Sequence, residues 1–267
     1  RHAHRLACGG AGGARRRLKR VFVSPKETVT VARTDLAPAG DPLQAIAIPK
    51  YLQDTYWWAY LHPNAVRVFE RQWLVNLILW GNFARLRDAA LAEMGDVIDG
   101  KVLQVACVYG DFTEKLVDRL GQGASLDVID VAPIQIKNLH HKLKNQRQVS
   151  VLRQDSTAMA FEDASHDTVV VFFLLHEQPA DARRKTIAEA LRVTRPGGKI
   201  VFVDYHRPVA ASPFRYLMVP ILSTLEPFAL DLWRGEITDW LPEGVLPAKV
   251  EKELYFGGLY QKVVMTR

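Results

Sequence analysis

From Lys101 onward, short apolar runs alternate with amphipathic stretches whose apolar positions have helical spacing. The apolar runs, which we predict to be strands, are Val102–Val108, Leu126–Ile129, Val149–Arg153, Thr168–Leu175 and Lys199–Asp204. The predicted helices between them span residues 112–120, 133–144 and 182–193. This alternation predicts an α/β fold built on a doubly wound, mostly parallel sheet. Two further runs around Gly257-Gly258 predict a hairpin that adds an antiparallel edge and brings the sheet to seven strands.

Residues 43–100 form an aromatic-rich region in which we predict helices. Within Val66–Trp80, the residues Phe69, Trp73, Leu77 and Trp80 recur at a spacing that places them on one helix face. This face has two interpretations: a helix that packs on the core, or a wall for an apolar substrate that enters from a membrane surface. The candidate substrate contacts in the region are Tyr56, Trp57, Tyr60, His62 and Trp73.

Composition and charge limit the classes of protein to which this chain can belong. The chain has 267 residues, a formal net charge of +6 and two cysteines, and its mean hydropathy is −0.06. Basic residues are concentrated in the first 20 positions, which argues against a nucleic-acid surface spread over the fold. We predict that residues 1–42 are a basic leader, either a disordered arm or an organellar transit peptide. The protein would be mitochondrial in the second case, and would lie at the cytoplasmic face of the inner membrane in a bacterium.

Polar residues follow the predicted strands at the edge where such sheets bind ligands. Asp130 closes the second strand, 20 residues after Gly110, and is well placed to accept hydrogen bonds from ribose hydroxyls. His176 and Glu177 follow the fourth strand. Asp204, Tyr205 and His206 end the fifth strand, as Gln154, Asp155 and Ser156 end the third. Because strands four and five are neighbours in this topology, side chains at their ends are expected to converge.

The stretch 101–267 resembles the class I S-adenosylmethionine-dependent methyltransferases, which have a Rossmann-like fold. The resemblance rests on 102–113, Asp130, 154–155, 174–177 and 190–199. It implies that S-adenosylmethionine is bound by Gln104, Ala106, Cys107, Val108, Tyr109, Gly110, Asp130, Val131, Asp155 and Ser156. The first motif departs from the family pattern of an acid followed by three alternating glycines, because Gln104, Ala106 and Val108 replace the acid and two of the glycines.

This altered motif, together with the segments 51–71 and 256–264, is similar to the rhodoquinone-biosynthesis protein family (RquA). That resemblance implies conversion of ubiquinone to rhodoquinone, in which an amino group replaces a ring methoxy group. It further implies that S-adenosylmethionine is the amino donor and that Mn²⁺ is required. We predict His176, Glu177 and Tyr109 as catalytic residues, and His176, Glu177, Asp204 and His206 as metal ligands.

Two alternatives remain open from the sequence. One is an ordinary methyltransferase that acts on a quinone or another lipid-like acceptor. The other is a non-catalytic protein with a cofactor-binding fold. A mostly apolar insert at 212–240 is interpreted either as a broken helical segment packed on the sheet or as a lid that lines an isoprenoid channel. Ubiquinone as substrate and a peripheral membrane surface are the expected partners, and nucleic acid is not expected.

Overall fold

The computed structural model describes residues 46–144 and 146–267. Its seven-stranded sheet has the order β3-β2-β1-β4-β5-β7-β6, in which β1 to β5 are parallel and β7 is antiparallel to both of its neighbours. The strands are β1 (Lys101–Val105), β2 (Ser125–Asp130), β3 (Val149–Arg153), β4 (His166–Phe172), β5 (Thr194–Tyr205), β6 (Lys249–Tyr255) and β7 (Tyr260–Thr266). The predicted seven-stranded, doubly wound fold is confirmed. The predicted leader, residues 1–42, lies outside the described residues.

Nine α-helices surround the sheet in the described part of the chain. They are α1 (Lys50–Thr55), α2 (Pro63–Phe69), α3 (Gln72–Ile78), α4 (Phe83–Ala92), α5 (Phe112–Val117), α6 (Pro133–Leu143), α7 (Ala180–Val193), α8 (Phe214–Leu225) and α9 (Ala229–Leu232). A π-helix covers Trp57–Leu61, and 3-10 turns cover Leu175–Glu177 and Ile237–Trp240. No helix among these residues is both long enough and apolar enough to cross a membrane.

The single helix predicted for 66–80 is wrong. The segment forms α2 and α3, because the backbone is extended at Arg71, with φ −71° and ψ 115°. The break redirects the second half, so Trp73 and Leu77 are 61% and 64% exposed instead of packed on the core. Phe69, Trp73, Leu77 and Trp80 therefore do not lie on one continuous helix, although Phe69, Leu77 and Trp80 all line the cavity described below.

Burial on both faces explains the near-continuous apolar runs of the central strands. Leu103 and Val171 are buried on one face of the sheet, and Val102 and Val170 are buried on the other, as expected for a parallel sheet covered by helices on both sides. The fourth strand ends earlier than predicted because Phe173 adopts φ +53° and turns the chain. That turn leads into the 3-10 segment Leu175–Glu177, which presents the predicted site residues at the edge of the sheet.

Candidate functional site

A cavity of about 710 Å³ opens at the carboxyl ends of β1, β2 and β4. One half is lined by residues that follow the strands, among them Val108, Asp130 and Asp155. The other half is apolar, and its lining comes from α3 and the turn after it (Leu74, Leu77, Ile78 and Trp80) and from α8 (Met218, Ile221, Leu222 and Leu225). The volume lies in the range of small-molecule sites. Both segments that the sequence associated with an apolar substrate therefore line one cavity.

Asp130 is the central polar group in the strand-end half. Its two carboxylate oxygens accept hydrogen bonds from the backbone N–H groups of Cys107 and Ala132, each at 2.8 Å. Burial raises the pKa of Asp130, and these hydrogen bonds oppose the rise. Asp130 also lines the cavity, so its carboxylate borders the space that a ligand would occupy. Asp155, which accepts from the backbone and hydroxyl of Thr157, lines the same half together with Val131 and Ser156.

The turn after β1 keeps left-handed backbone at Ala106 and Gly110 although two of the three glycines of the usual motif are replaced. Ala106 adopts φ +75°, a left-handed conformation that glycine adopts without steric cost. Gly110 has φ +80°, and a Cβ placed on it would lie 2.8 Å from the ring of Phe83. Gln104, at the position of the usual acid, is fully buried and donates to the carbonyl of Ala106. Gln104 therefore braces the turn and does not line the cavity.

Tyr109 fills the space above this turn and is fixed by several contacts. Its hydroxyl donates to the carbonyl of Ala59 at 2.7 Å and accepts from Nε2 of Gln135 at 2.7 Å. Its ring lies between those of Tyr60 and Phe69, with centroid distances of 5.6 and 5.8 Å. The turn is thereby tied to the helical region that precedes the sheet, and Tyr109 forms a rigid wall of the cavity.

Acidic and histidine side chains meet at the junction of the two halves. His176 Nε2 lies 3.8 Å from Oε1 of Glu177 and 4.0 Å from Oε2 of Glu226, while its Nδ1 lies 2.9 Å from Oδ1 of Asp204. The hydroxyl of Tyr60 donates to Oε1 of Glu177. His176, Glu177, Glu226 and Tyr60 line the cavity, whereas Asp204 lies behind them.

Burial and neighbouring charges shift the pKa values in this cluster. Burial raises the pKa of Glu177 above the ordinary glutamate value; nearby His176 opposes the shift and Glu226 adds to it. Burial also raises the pKa of Glu226. Burial disfavours the charged imidazole of His176, but the adjacent Asp204 carboxylate outweighs it and raises the pKa of His176 to about 9. The cluster thus holds protons that water-exposed groups would release near neutral pH.

The predicted set of four metal ligands is not assembled. His206 is turned away from the cavity, because its Nδ1 contacts the carbonyl of Gly258 and its Nε2 contacts Lys252. Asp204 accepts from the backbone N–H groups of Leu175, His176 and Tyr205, which occupy both of its oxygens. No group of three or more His, Cys, Asp and Glu side chains is arranged to hold a metal ion within residues 46–144 and 146–267. These residues do not fit the implied Mn²⁺.

The predicted substrate contacts separate into two groups. Tyr60 lines the cavity, and the buried Tyr56 packs against it with ring centroids 6.2 Å apart. Trp57, His62 and Trp73 do not line the cavity, which corrects their assignment. The π-helix Trp57–Leu61 changes the helical phase so that Trp58 faces the cavity while Trp57 is 52% exposed. His62 instead caps α2 by accepting from the backbone N–H of Asn64.

Sequence reasoning missed several residues that line the cavity. Glu226, which directly follows α8, is not among the site residues predicted from the sequence. Tyr51 and Trp58 are likewise not among the predicted site residues, although both line the cavity. Trp80 belongs to the face interpreted as a possible wall for an apolar substrate, and it does line the cavity. The available signal for Glu226 was an acid directly after an apolar helix and directly before Pro227.

Comparison with known proteins agrees with the fold. Residues 102–198 match the sequence family described as methyltransferase domain. The chain is 31% identical over 140 residues to a demethylmenaquinone methyltransferase of Renibacterium salmoninarum, across 52% of this chain and 55% of that protein. It is 27% identical over 202 residues to a demethylmenaquinone methyltransferase of Staphylococcus aureus, across 72% and 80% of the two chains.

A solved structure gives the same picture of the fold. The N-methyltransferase NodS from Bradyrhizobium japonicum superposes with a TM-score of 0.50 at 18% identity, across 68% of this chain and 94% of that chain. The match to the Renibacterium protein spans just over half of that protein's length. Residues 102–198 therefore match a methyltransferase-domain family, and the chain has the fold of a solved methyltransferase.

Proposed function

We propose that this protein is an S-adenosylmethionine-dependent transferase that replaces a ring methoxy group of ubiquinone with an amino group. The observation that carries the proposal is the continuous cavity described above. It joins a strand-end half containing Asp130 and Asp155 to an apolar half formed by α3 and α8. The buried pair His176 and Glu177 stands where the two halves meet.

The strand-end half has the chemistry that S-adenosylmethionine requires. Asp130 and Asp155 supply acceptors for ribose hydroxyls, and Ile129, Val131 and Ala132 supply an apolar surface for a flat purine ring. Burial raises the pKa of the Cys107 thiol well above its ordinary value, which disfavours the thiolate form. When bound, S-adenosylmethionine supplies either an electrophilic methyl group or a nucleophilic α-amino group.

The turn after β1 favours amino transfer. An α-amino group attacks only when it is neutral, and such groups titrate at about 7.7–8.0. Gln104, where the family pattern has an acid, offers no negative charge to stabilise the ammonium form, and its amide is already bonded to Ala106. Val108 and Tyr109 add bulk where the pattern has a glycine and a small residue. Both line the cavity, so the amino-acid end of the cofactor is held differently from that of a methyltransferase.

Glu177 is placed to donate a proton to the leaving group of the substitution and to accept the proton that the amine loses. The substitution forms a ring C–N bond and breaks the ring C–O bond, and the methoxy group leaves as methanol after taking a proton. A free ring amino group also requires the bond between that nitrogen and the donor's Cα to break. The quinone ring can accept the two electrons of that oxidation, and water then releases the aminoquinol and the 2-oxo acid of the donor. Glu177 carries a proton because its pKa is raised, and the proton that the attacking amine loses returns to it. Tyr60 fixes one oxygen of Glu177, and Asp204 orients His176 beside it. The proposal routes no step through a metal ion.

The relatives favour a second candidate function. Two of them carry the name demethylmenaquinone methyltransferase, which suggests C-methylation of a quinone ring in the same cavity. In that case the neutral Glu177 has no leaving group to protonate, and the bulk of Tyr109 has no catalytic purpose. We therefore place methylation second.

Product analysis distinguishes the two functions. The full chain is incubated with S-adenosylmethionine and a short-tailed ubiquinone, with Mn²⁺ included because the resemblance implies it, and in parallel with a short-tailed demethylmenaquinone. The proposal expects a ubiquinone product in which NH₂ has replaced OCH₃, and no methylated menaquinone. Methyl addition to demethylmenaquinone without any amino product would establish the second function. A protein that turns over neither substrate would overturn both.

A further inference from the structure

Exposed apolar side chains are concentrated on the two elements that form the apolar half of the cavity. On the α3 side they are Trp73, Leu77, Ile78 and Trp80, and on the α8 side they are Tyr216, Leu217, Val219 and Leu225; we call these eight residues the apolar rim. Trp73 and Tyr216 are 61% and 68% exposed, more than half of each side chain. Large apolar side chains clustered at the surface mark a binding surface more often than isolated ones do.

The two sides of the rim belong to one structural unit. The rings of Trp80 and Phe214 are in contact, with centroids 5.2 Å apart and an edge-to-face arrangement. Leu77, Ile78, Trp80 and Leu225 also line the cavity, so their side chains lie between the surface and the site. An apolar molecule that moves from the rim into the cavity therefore stays in contact with apolar side chains.

The charged residues within the two segments that carry the rim are all arginines. Glu70 and Glu226 flank these segments, but Glu70 is paired with Lys142 and Glu226 lines the cavity. Segments 71–82 and 207–225 contain Arg71, Arg207 and Arg215 and no aspartate or glutamate. None of these three arginines forms an ion pair with a carboxylate of residues 46–144 or 146–267. Apolar side chains bordered by unpaired arginines match a lipid surface with anionic headgroups, because the arginines attract the phosphates while tryptophan and tyrosine occupy the interface.

We propose that the apolar rim docks onto an anionic lipid bilayer and that the substrate's isoprenoid tail passes between α3 and α8 from that bilayer. The inference rests on the proposed function for the identity of the substrate, and it adds the surface from which that substrate arrives. Docking is peripheral: Trp73, Leu217 and their neighbours insert at the headgroup level, and the sheet remains outside the bilayer.

Vesicle co-sedimentation of the full chain tests the docking surface. The probes are vesicles of phosphatidylcholine alone and vesicles of equal parts phosphatidylcholine and phosphatidylglycerol. The rim variant carries Tyr216→Gln, Leu217→Gln and Val219→Gln, none of which lines the cavity. The matched control carries Leu246→Gln, Val250→Gln and Leu254→Gln, three exposed apolar residues outside the rim. The rim variant is expected to bind the mixed vesicles at least about tenfold more weakly, and the control is expected to bind like the unchanged protein.

A second variant isolates the charge. Arg207→Gln with Arg215→Gln is expected to weaken binding to the mixed vesicles by about fivefold per arginine, with little change on phosphatidylcholine alone. Wild-type binding by the rim variant would overturn the proposal, since the basic residues in 1–20 would then account for the interaction. Light scattering that shows a dimer which the rim substitutions dissociate would also overturn it, because a second copy would cover the rim.

Activity separates this inference from the proposed function. In solution without vesicles, the rim variant is expected to modify a short-tailed ubiquinone at the wild-type rate. With a long-tailed ubiquinone embedded in mixed vesicles, it is expected to lose activity in proportion to its loss of binding. A wild-type protein that binds vesicles but yields no amino product would refute the function and leave the docking surface standing. Equal rates on embedded substrate for the variant and the wild type would refute the docking surface.

Discussion

The rings of Tyr60 and Tyr109 are stacked, with centroids 5.6 Å apart and planes inclined by 8°. Tyr60 comes from the π-helix before the sheet, and Tyr109 comes from the turn after β1. The stack joins the cofactor turn to the residue that holds Glu177. We expect a change at Tyr109 to affect the position of Glu177 through this stack.

Removing the hydroxyl of Tyr109 tests that connection. Tyr109→Phe keeps the stacked ring but removes its hydrogen bonds with Ala59 and Gln135. We expect the turnover number for amino transfer to fall by about 10- to 100-fold, because small displacements of reacting groups are costly. Cofactor affinity should change little. The control is Tyr216→Phe at the surface, and an unchanged turnover number in Tyr109→Phe would show that the anchoring is incidental.

Asp130 is expected to hold the cofactor's ribose. Asp130→Ala should weaken S-adenosylmethionine binding by about 5- to 150-fold, because it leaves ribose hydroxyls unpaired in a buried site. Isothermal titration calorimetry measures the affinity, and circular dichroism checks the fold, since Cys107 and Ala132 also lose an acceptor. Asp96→Ala, at an exposed position, is the control. Wild-type affinity in a folded Asp130→Ala protein would remove Asp130 from the site.

The raised pKa of Glu177 predicts the pH dependence of the reaction. If neutral Glu177 donates a proton to the leaving methoxy group, the rate should fall as the pH rises through that pKa, which lies above the ordinary glutamate value. Glu177→Gln should lower the turnover number by about 10²- to 10⁴-fold and abolish this alkaline decline. A pH-rate profile of the two proteins is the measurement. An unchanged alkaline decline in Glu177→Gln would assign it to another group.

The raised pKa of His176 predicts that the stability of the fold depends on pH. Its pKa is raised to about 9 in the folded protein, and an unfolded histidine has a pKa of about 6.5. The stabilisation from protonated His176 is therefore complete below about 6.5 and is lost as the pH rises through about 9. Urea unfolding across this range should show a falling free energy of unfolding, with a shallower slope in His176→Gln. His141→Gln, an exposed histidine on α6, should keep the wild-type slope.

Ala106 gives a prediction about backbone strain. A non-glycine residue at φ +75° costs about 1–2 kcal/mol, so Ala106→Gly should raise the free energy of unfolding by about 1 kcal/mol. The same change within α4, Ala89→Gly, should lower it by about 1 kcal/mol because glycine disfavours helix. Denaturant unfolding measures both. A destabilised Ala106→Gly protein would show that the turn does not depend on the backbone freedom of residue 106.

Much of the fold and part of the site could be predicted from local pattern. Apolar runs marked the parallel strands, and the residues that follow strands, such as Asp130, His176 and Glu177, do line the cavity. Patterns of this kind depend on near neighbours in the chain. The break at Arg71 and the π-helix at Trp57–Leu61 could not be predicted from local pattern, because α2 and the π-helix pack against α6, which lies far away in the sequence. Glu226 could be assigned to the site only once the position of α8 in the fold was known.

The prediction of four metal ligands was wrong for a related reason. Adjacent strands do bring His176 and Asp204 together, as expected, but Asp204 accepts backbone N–H groups and orients the imidazole. His206 lies one residue beyond the end of β5 and is directed toward β6, where it meets Lys252. Sequence position identifies the edge of the sheet, and side-chain direction is decided by the chain that packs around it.

The source of the new ring substituent tests the central claim most directly. S-adenosylmethionine labelled with heavy nitrogen at its α-amino group is incubated with the full chain and a short-tailed ubiquinone, and the product is analysed by mass spectrometry. The account predicts a product that has lost one methoxy group and carries the heavy nitrogen on the ring. A product that has gained a methyl group and contains no heavy nitrogen would contradict it.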